Sequence, residues 1–264
     1  MPEIIDQMNR KVVVAEKPQR IISLVPSQTE LLHYFGLENE VIGITKFCVH
    51  PKQWFTSKTR IGGTKNLDIP LIQSLNPDLI IGNKEENVKE QIEAIAANFP
   101  TYMSDVNSYQ DALKMIQDLG NLLKKGEMAE SLKRKIDLGF NKIPSFNKRI
   151  LYFIWNNPYM VAGRNTFIGQ LLEKIGFENA WTDSNGRYKE ISTEEILHLQ
   201  PDICLLSTEP FPFKEEHVHP FEKMNLKAVI VDGEMFSWYG SRMELMPNYF
   251  TKLHQELTIL SKSE

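Results

Sequence analysis

No apolar run in this chain approaches the ~20 residues that a membrane-spanning helix needs. Leu79-Ile80-Ile81, for instance, is bounded by Asp78 and Gly82. Cysteine is nearly absent: Cys48 and Cys204 are the only two, each in an apolar context. That excludes a disulfide framework or a cysteine-based metal cluster and predicts two buried free thiols. Charge of one sign is also scarce, with 30 Lys and Arg against 34 Asp and Glu. The most basic stretch, KKGEMAESLKRK, carries two Glu among its cations and reads as a solvated helix face, so no nucleic-acid partner is expected. The amino terminus, MPEIIDQMNRKVVVAEKPQRI, has no uninterrupted apolar segment and no small-residue cleavage site. On those residues alone the chain reads as cytoplasmic or already processed.

What the chain has is a core and an internal echo. Hydrophobic residues make up 42% of its 264 positions, enough for one large domain or two of moderate size. RIISLVPSQTELLHYFGLENEVIG in the first half is answered by RILYFIWNNPYMVAGRNTFIGQLLEKIGFENAW in the second. Each passes from an apolar strand through a proline-containing turn into an amphipathic helix. Each helix stops at a glycine, in Gly36-Leu37-Glu38-Asn39 and Gly176-Phe177-Glu178-Asn179, where a left-handed cap is expected. A second pair follows: Ile72, Leu75, Pro77, Asp78, Leu79, Ile80 and Ile81 are matched by Ile196, Leu199, Pro201, Asp202, Ile203, Cys204 and Leu205. Both read as a short helix halted before proline, then a buried strand.

Ser27 with Glu30 and Ser192 with Glu195 have the spacing of capping boxes. Strands alternating with such helices predict an α/β fold: two Rossmann-like lobes with parallel central sheets. Between the halves, Ala129, Leu132, Ile136, Phe140 and Ile143 recur at helical spacing over about 18 residues, predicting a rigid connecting helix roughly 27 Å long. The expected division is an N-terminal lobe over 1–122, the long helix over 123–146 and a C-terminal lobe over 147–264.

Taken in order, from PQRIISLVPSQTELL to GEMFSWYGSRMELM, these motifs resemble the class III substrate-binding proteins of ABC transporters, the helical-backbone metal receptors, and within them the cobalamin-binding branch. The resemblance implies two lobes joined by a long helix, with ligand held in the cleft between them by loops that follow the strands. It implies a corrinoid as bound ligand, with haem or a ferric siderophore as alternatives, and no intrinsic cofactor. It further implies delivery to an ABC transporter permease, and a periplasmic or cell-surface location.

Ligands of α/β sheets bind beyond the strand carboxyl ends, which brings forward the Pro26-Ser27 turn and the turn containing Trp155, Asn156 and Tyr159. Aromatic residues crowd the post-strand segments: His50, Trp54 and Phe55 early, then Phe236, Trp238 and Tyr239 late. Broad rings suit the apolar face of a macrocycle, and a few polar groups fix its orientation. His50 offers a donor or a ligand to cobalt or iron, or is a turn residue before Pro51. Arg164, Arg187 and Arg242 offer forked donors to carboxylate or phosphate; surface ion pairs are the alternative. His217 and His219 read as loop histidines, and no metal site is expected. Glu85 and Glu86, with Glu209 at the repeated position, are by resemblance the acids that dock on a permease; solvated loop acids are the alternative.

No nucleophile, base and orienting group fall into a recognisable set, and Gly62-Gly63 is not a phosphate-binding loop. Reversible binding rather than catalysis is therefore expected, with an enzyme or an interaction protein on the same scaffold as the contrasting possibilities.

Overall fold

The computed structural model describes residues 3–182 and 186–262. Their chain opens with a hairpin, β1 (Glu3–Ile5) and β2 (Lys11–Val13), followed by β3 (Ile21–Ser23), α1 (Pro26–Tyr34) and β4 (Val41–Ile44). Next come α2 (Lys52–Ser57), β5 (Thr59–Arg60), the small hairpin β6 (Gly62–Gly63) and β7 (Asn66–Leu67), and α3 (Ile69–Leu75). Then follow β8 (Leu79–Asn83), α4 (Lys89–Ala96), β9 (Thr101–Ser104), α5 (Tyr109–Leu122) and α6 (Gly126–Phe140). The second half runs β10 (Arg149–Trp155), β11 (Met160–Ala162), α7 (Phe167–Lys174), β12 (Glu178–Asn179), β13 (Tyr188–Glu190) and α8 (Thr193–Leu199). It ends with β14 (Ile203–Ser207), α9 (His219–Lys223), β15 (Ala228–Val231), α10 (Glu234–Ser237) and α11 (Met246–Lys262).

These elements form two compact units of interleaved segments. The first contains the described residues up to Val106, together with Gln110–Lys135 and Tyr239–Arg242. The second contains Asn107–Tyr109, Ile136–Trp238 and the described residues from Met243 onward.

In the first unit the sheet order is β5-β4-β3-β8-β9 and every pairing is parallel. Ile22, Leu24, Ile61, Ile72, Ile80 and Ile92 form its packed interior. Removing each such side chain from water is worth about 2 kcal/mol. The second unit has the order β13-β11-β10-β14-β15, with β12 beside β10. Here β10, β12, β14 and β15 pair in parallel, but β11 and β13 run antiparallel. The central strands are thus parallel, as the sequence suggests, and a turn over 156–159, too short for a crossover, adds an antiparallel hairpin at one side.

The internal echo is realised bond for bond. Gly36 and Gly176 both take positive φ, at 69° and 86°. Around each, the same pair of amides folds back: Gly36 N to His33 O and Leu37 N to Leu32 O, then Gly176 N to Glu173 O and Phe177 N to Leu172 O. Asp78 accepts from the backbone amide of Arg20 at 2.8 Å, and Asp202 from that of Arg149 at 2.8 Å. The two guanidinium groups in turn reach the carbonyls of Leu75 and Leu199 at the ends of α3 and α8. Each arginine and aspartate therefore staples a strand start to the helix beside it.

Two local expectations are corrected. Ser192 and Glu195 form the reciprocal capping box, at 2.8 and 3.2 Å, but Ser27 and Glu30 do not. The N-cap of α1 is Val25, with Pro26 supplying the preset first turn, and the Glu30 carboxylate is engaged elsewhere. The connecting helix is also shorter than its spacing suggests. α6 ends at Phe140, short of Ile143, and Lys124 at φ 58° separates it from α5. Ala129, Leu132, Ile136 and Phe140 are its buried stripe, as the spacing requires.

Candidate functional site

Because all strands of the first sheet are parallel, the segments after β3, β4, β8 and β9 gather along its carboxyl edge. Beneath that edge, Gln28 donates from Nε2 to Ser104 Oγ at 2.6 Å and to the Gly82 carbonyl at 3.2 Å. The segment after β4 is anchored by Cys48, whose Sγ lies 3.1 Å from Thr29 Oγ1 and 3.2 Å from Thr45 Oγ1. Burial pushes its thiol up to about 11, so it is a packed anchor and not a nucleophile. Pinning Cys48 inward turns Phe47 and Val49 outward; the Phe47 ring is 50% exposed. Lys46 Nζ sits 5.2 Å from that ring. A Cβ on Gly63 would approach Phe47 Cε2 to 3.1 Å, so glycine is what lets the ring lie there. His50 and Phe55 are half-buried at the same edge, as is Pro26, while Ser27 is buried. The sequence reading missed Phe47; its signal was a lone aromatic between a lysine and a buried cysteine.

Trp54 is different. It is 1% exposed, meets His33 edge-on at 5.3 Å and carries Lys58 over its face, so it belongs to the interior and not to a ligand wall. After β8, Asn83 Oδ1 accepts from the amides of Glu85 and Glu86 at 2.8 and 3.2 Å and shapes their turn. Both acids are half-buried, and Glu86 accepts from Tyr239 Oη at 3.2 Å. Arg242, 8% exposed, grips Glu30 with two bonds of 3.0 and 2.8 Å. Its fork is therefore spent on structure.

In the second unit the segments after β10, β14 and β15 hold the remaining candidates. Trp155 stands 40% exposed and meets Phe211 edge-on at 5.7 Å. Phe211 is itself braced by Phe213 at 4.9 Å and His217 at 5.2 Å, making an aromatic step. His217 Nδ1 accepts the Lys214 amide at 2.9 Å, which leaves the proton of the neutral ring on Nε2. That ring is a donor, not a metal ligand. Phe211 was hidden in the sequence between Pro210 and Pro212.

Beside the step opens a recess of about 780 Å3, whose walls are the turn Asn156–Tyr159 and the segment Lys189–Glu195. Ile191 N donates to Tyr159 O at 2.9 Å and ties the two walls together. Phe236, expected at the ligand, is instead a core side chain between Tyr152 at 4.9 Å and Phe250 at 5.0 Å. Trp238 is buried and donates its indole N–H to Glu209 at 2.9 Å; Ser237 Oγ donates to the same oxygen. Burial raises the Glu209 pKa, and Glu234 and Asp232 add to the rise. Arg164 lies 3.0 Å from Glu173, and Arg187 hydrogen-bonds Asn107.

Among the described residues, no three His, Cys, Asp or Glu gather in a way that would hold a metal ion. No described helix is long and apolar enough to cross a membrane.

Comparison with known proteins gives this geometry a context. An uncharacterized ABC transporter substrate-binding lipoprotein of Bacillus subtilis is 27% identical over 214 residues, 76% of this chain and 67% of its own. A vitamin B12-binding protein of Pectobacterium carotovorum is 22% identical, covering 92% of this chain and 90% of its own. Among solved structures, the vitamin B12-binding protein BtuF of Vibrio cholerae superposes with a TM-score of 0.77 at 18% identity, over 91% of this chain and 98% of that one. The haem-binding protein RhuT of Roseiflexus sp. RS-1 gives 0.74 at 21% identity, over 90% and 97%. Residues 21–234 match the periplasmic binding protein family, and the chain belongs to that family as a ligand-binding transport protein with the class III, helical-backbone fold.

Proposed function

We propose that this protein reversibly binds cobalamin or a related corrinoid and presents it to an ABC permease. The observation that carries the reading is the aromatic step of the exposed Trp155 and the half-buried Phe211, next along the chain to a recess walled by Asn156 and Asn157. A corrinoid offers wide apolar faces and a rim of neutral amides, and rings with adjacent amides are the groups that match it. The vitamin B12-binding relative, similar along nearly its whole length, supports the same ligand class. The arginines argue in the same direction. Arg164, Arg187 and Arg242 are engaged by Glu173, Asn107 and Glu30, whereas a triscatecholate siderophore requires cations committed to it.

Haem is the second reading, favoured by Lys46 beside the exposed Phe47 ring, a cation and an aromatic face within reach of one propionate-bearing macrocycle. Titration of the purified chain with cyanocobalamin, dicyanocobinamide and haemin, followed by calorimetry and absorbance, tests both. Saturable one-to-one binding of the corrinoids supports the first reading. Haemin binding alone replaces it with the second, and retention of none of the three overturns both.

Family membership supports an extracytoplasmic place of action. The Glu85-Glu86 turn is then the first unit's contact with the permease. Glu209, held by Trp238 and Ser237, serves the second unit from within.

A further inference from the structure

The recess of the second unit has a chemical character that the proposed function does not require. Its walls carry Lys189 against Glu190, Glu194 and Glu195, together with the amides of Asn156 and Asn157. Glu195 is committed: its carboxylate accepts the Ser192 amide at 2.8 Å, and Lys189 lowers its pKa further after those backbone and side-chain bonds to Ser192. The charges left are those of Glu190 and Glu194, both exposed on the wall. A cavity of about 780 Å3 with this lining accepts hydrogen-bond donors and repels anions. The turn Trp155–Tyr159 thus carries both the exposed Trp155 ring and the amides of Asn156 and Asn157, which share the recess wall with Glu190 and Glu194 of the other segment.

We propose that this recess reads the rim of the ligand and selects carboxamide over carboxylate. Resting on the corrinoid reading, it assigns the macrocycle face to Trp155 and Phe211 and its amide side arms to Asn156, Asn157, Glu190 and Glu194. An amide arm donates to the carboxylates and exchanges both kinds of bond with the asparagines. A carboxylate arm in the same place is a like charge with no donor to offer, which is the kind of mismatch that discriminates most strongly between otherwise similar ligands.

The probes are dicyanocobinamide, whose rim is amidated, and dicyanocobyrinic acid, which carries carboxylates in place of those amides. Wild-type protein is expected to hold the amide form at least tenfold more tightly at neutral pH. The double variant Glu190→Gln/Glu194→Gln, altered only at exposed positions, is expected to narrow that ratio at least threefold while still binding dicyanocobinamide. Asn156→Ala is expected to weaken dicyanocobinamide more than dicyanocobyrinic acid. Equal binding of the two corrinoids by wild type, or a ratio unchanged in the double variant, overturns the rim assignment and leaves the corrinoid reading standing. Failure to bind either corrinoid overturns both.

Discussion

Trp238 donates its indole N–H to Glu209 Oε1 at 2.9 Å, and that oxygen also receives the Ser237 hydroxyl. The acid is thus held as an acceptor inside the second unit. Burial raises its pKa first, its neighbours Glu234 and Asp232 next, while the two donors pull the other way. Since the folded state binds this proton more tightly than the unfolded chain, the carboxyl's contribution is complete below the ordinary glutamate range and diminishes as pH rises through the elevated value. Glu209→Gln keeps Oε1 and removes the charge. In urea melts it is expected to gain on wild type as pH climbs from 4 to 7, and a constant difference would contradict the assignment. Glu209→Ala, which strands the Trp238 indole N–H while Ser237 keeps the Gly233 carbonyl, is expected to lose about 2 kcal/mol.

His254 on α11 is buried, stacked on Phe146 at 5.1 Å and edge-on to Phe177 at 5.0 Å. Burial lowers its pKa, with the Pro144 backbone working in the opposite direction. The unfolded chain therefore takes up this proton more readily, and stability falls as pH drops through 6.5 and below. His254→Phe is expected to flatten that slope. Midpoints of denaturation at pH 7.5 and 5.5 for both proteins decide it.

The Arg242–Glu30 pair is nearly closed to solvent, with side chains 8% and 21% exposed. Removing one partner leaves a poorly solvated charge, so Arg242→Ala and Glu30→Ala are each expected to cost about 3 kcal/mol. The double variant is expected to cost clearly less than the sum of the two. Additive losses would show that the two groups do not act as a pair.

Trp54 and Trp155 separate packing from binding. Trp54→Ala empties a filled interior and is expected to cost about 4 kcal/mol, while Trp54→Phe leaves corrinoid affinity unchanged. Trp155→Ala, at an exposed ring, is expected to leave the thermal midpoint nearly unmoved and weaken corrinoid binding about tenfold, or about 1.4 kcal/mol. Calorimetric titrations paired with thermal melts would expose an exchange of these roles.

Much of the architecture could be read from residues because its signals are local. Ile21, Leu79 and Ile203 begin strands just after positions where Arg20, Asp78 and Asp202 make their bonds, and Gly36 and Gly176 end helices for a backbone reason. The end of the connecting helix was not legible, because Ile143 continues the apolar spacing of Ile136 and Phe140 although α6 stops at Phe140. Ser27 misled because a capping pattern cannot reveal that Glu30 is claimed by a residue 212 positions away. The candidate site was legible as a concentration of aromatics but not ring by ring. Trp54 follows a strand and Trp155 ends one, and only packing makes the first an interior residue and the second an exposed face.

The return of Tyr239–Arg242 to the first unit has a consequence for biogenesis. During synthesis that unit remains unfinished after its own sheet has left the ribosome, because the fork for Glu30 and the phenol for Glu86 arrive more than a hundred residues later. A nascent chain stalled ahead of residue 239 would carry an unsealed first half. Its maturation is therefore coupled to translation of the tail.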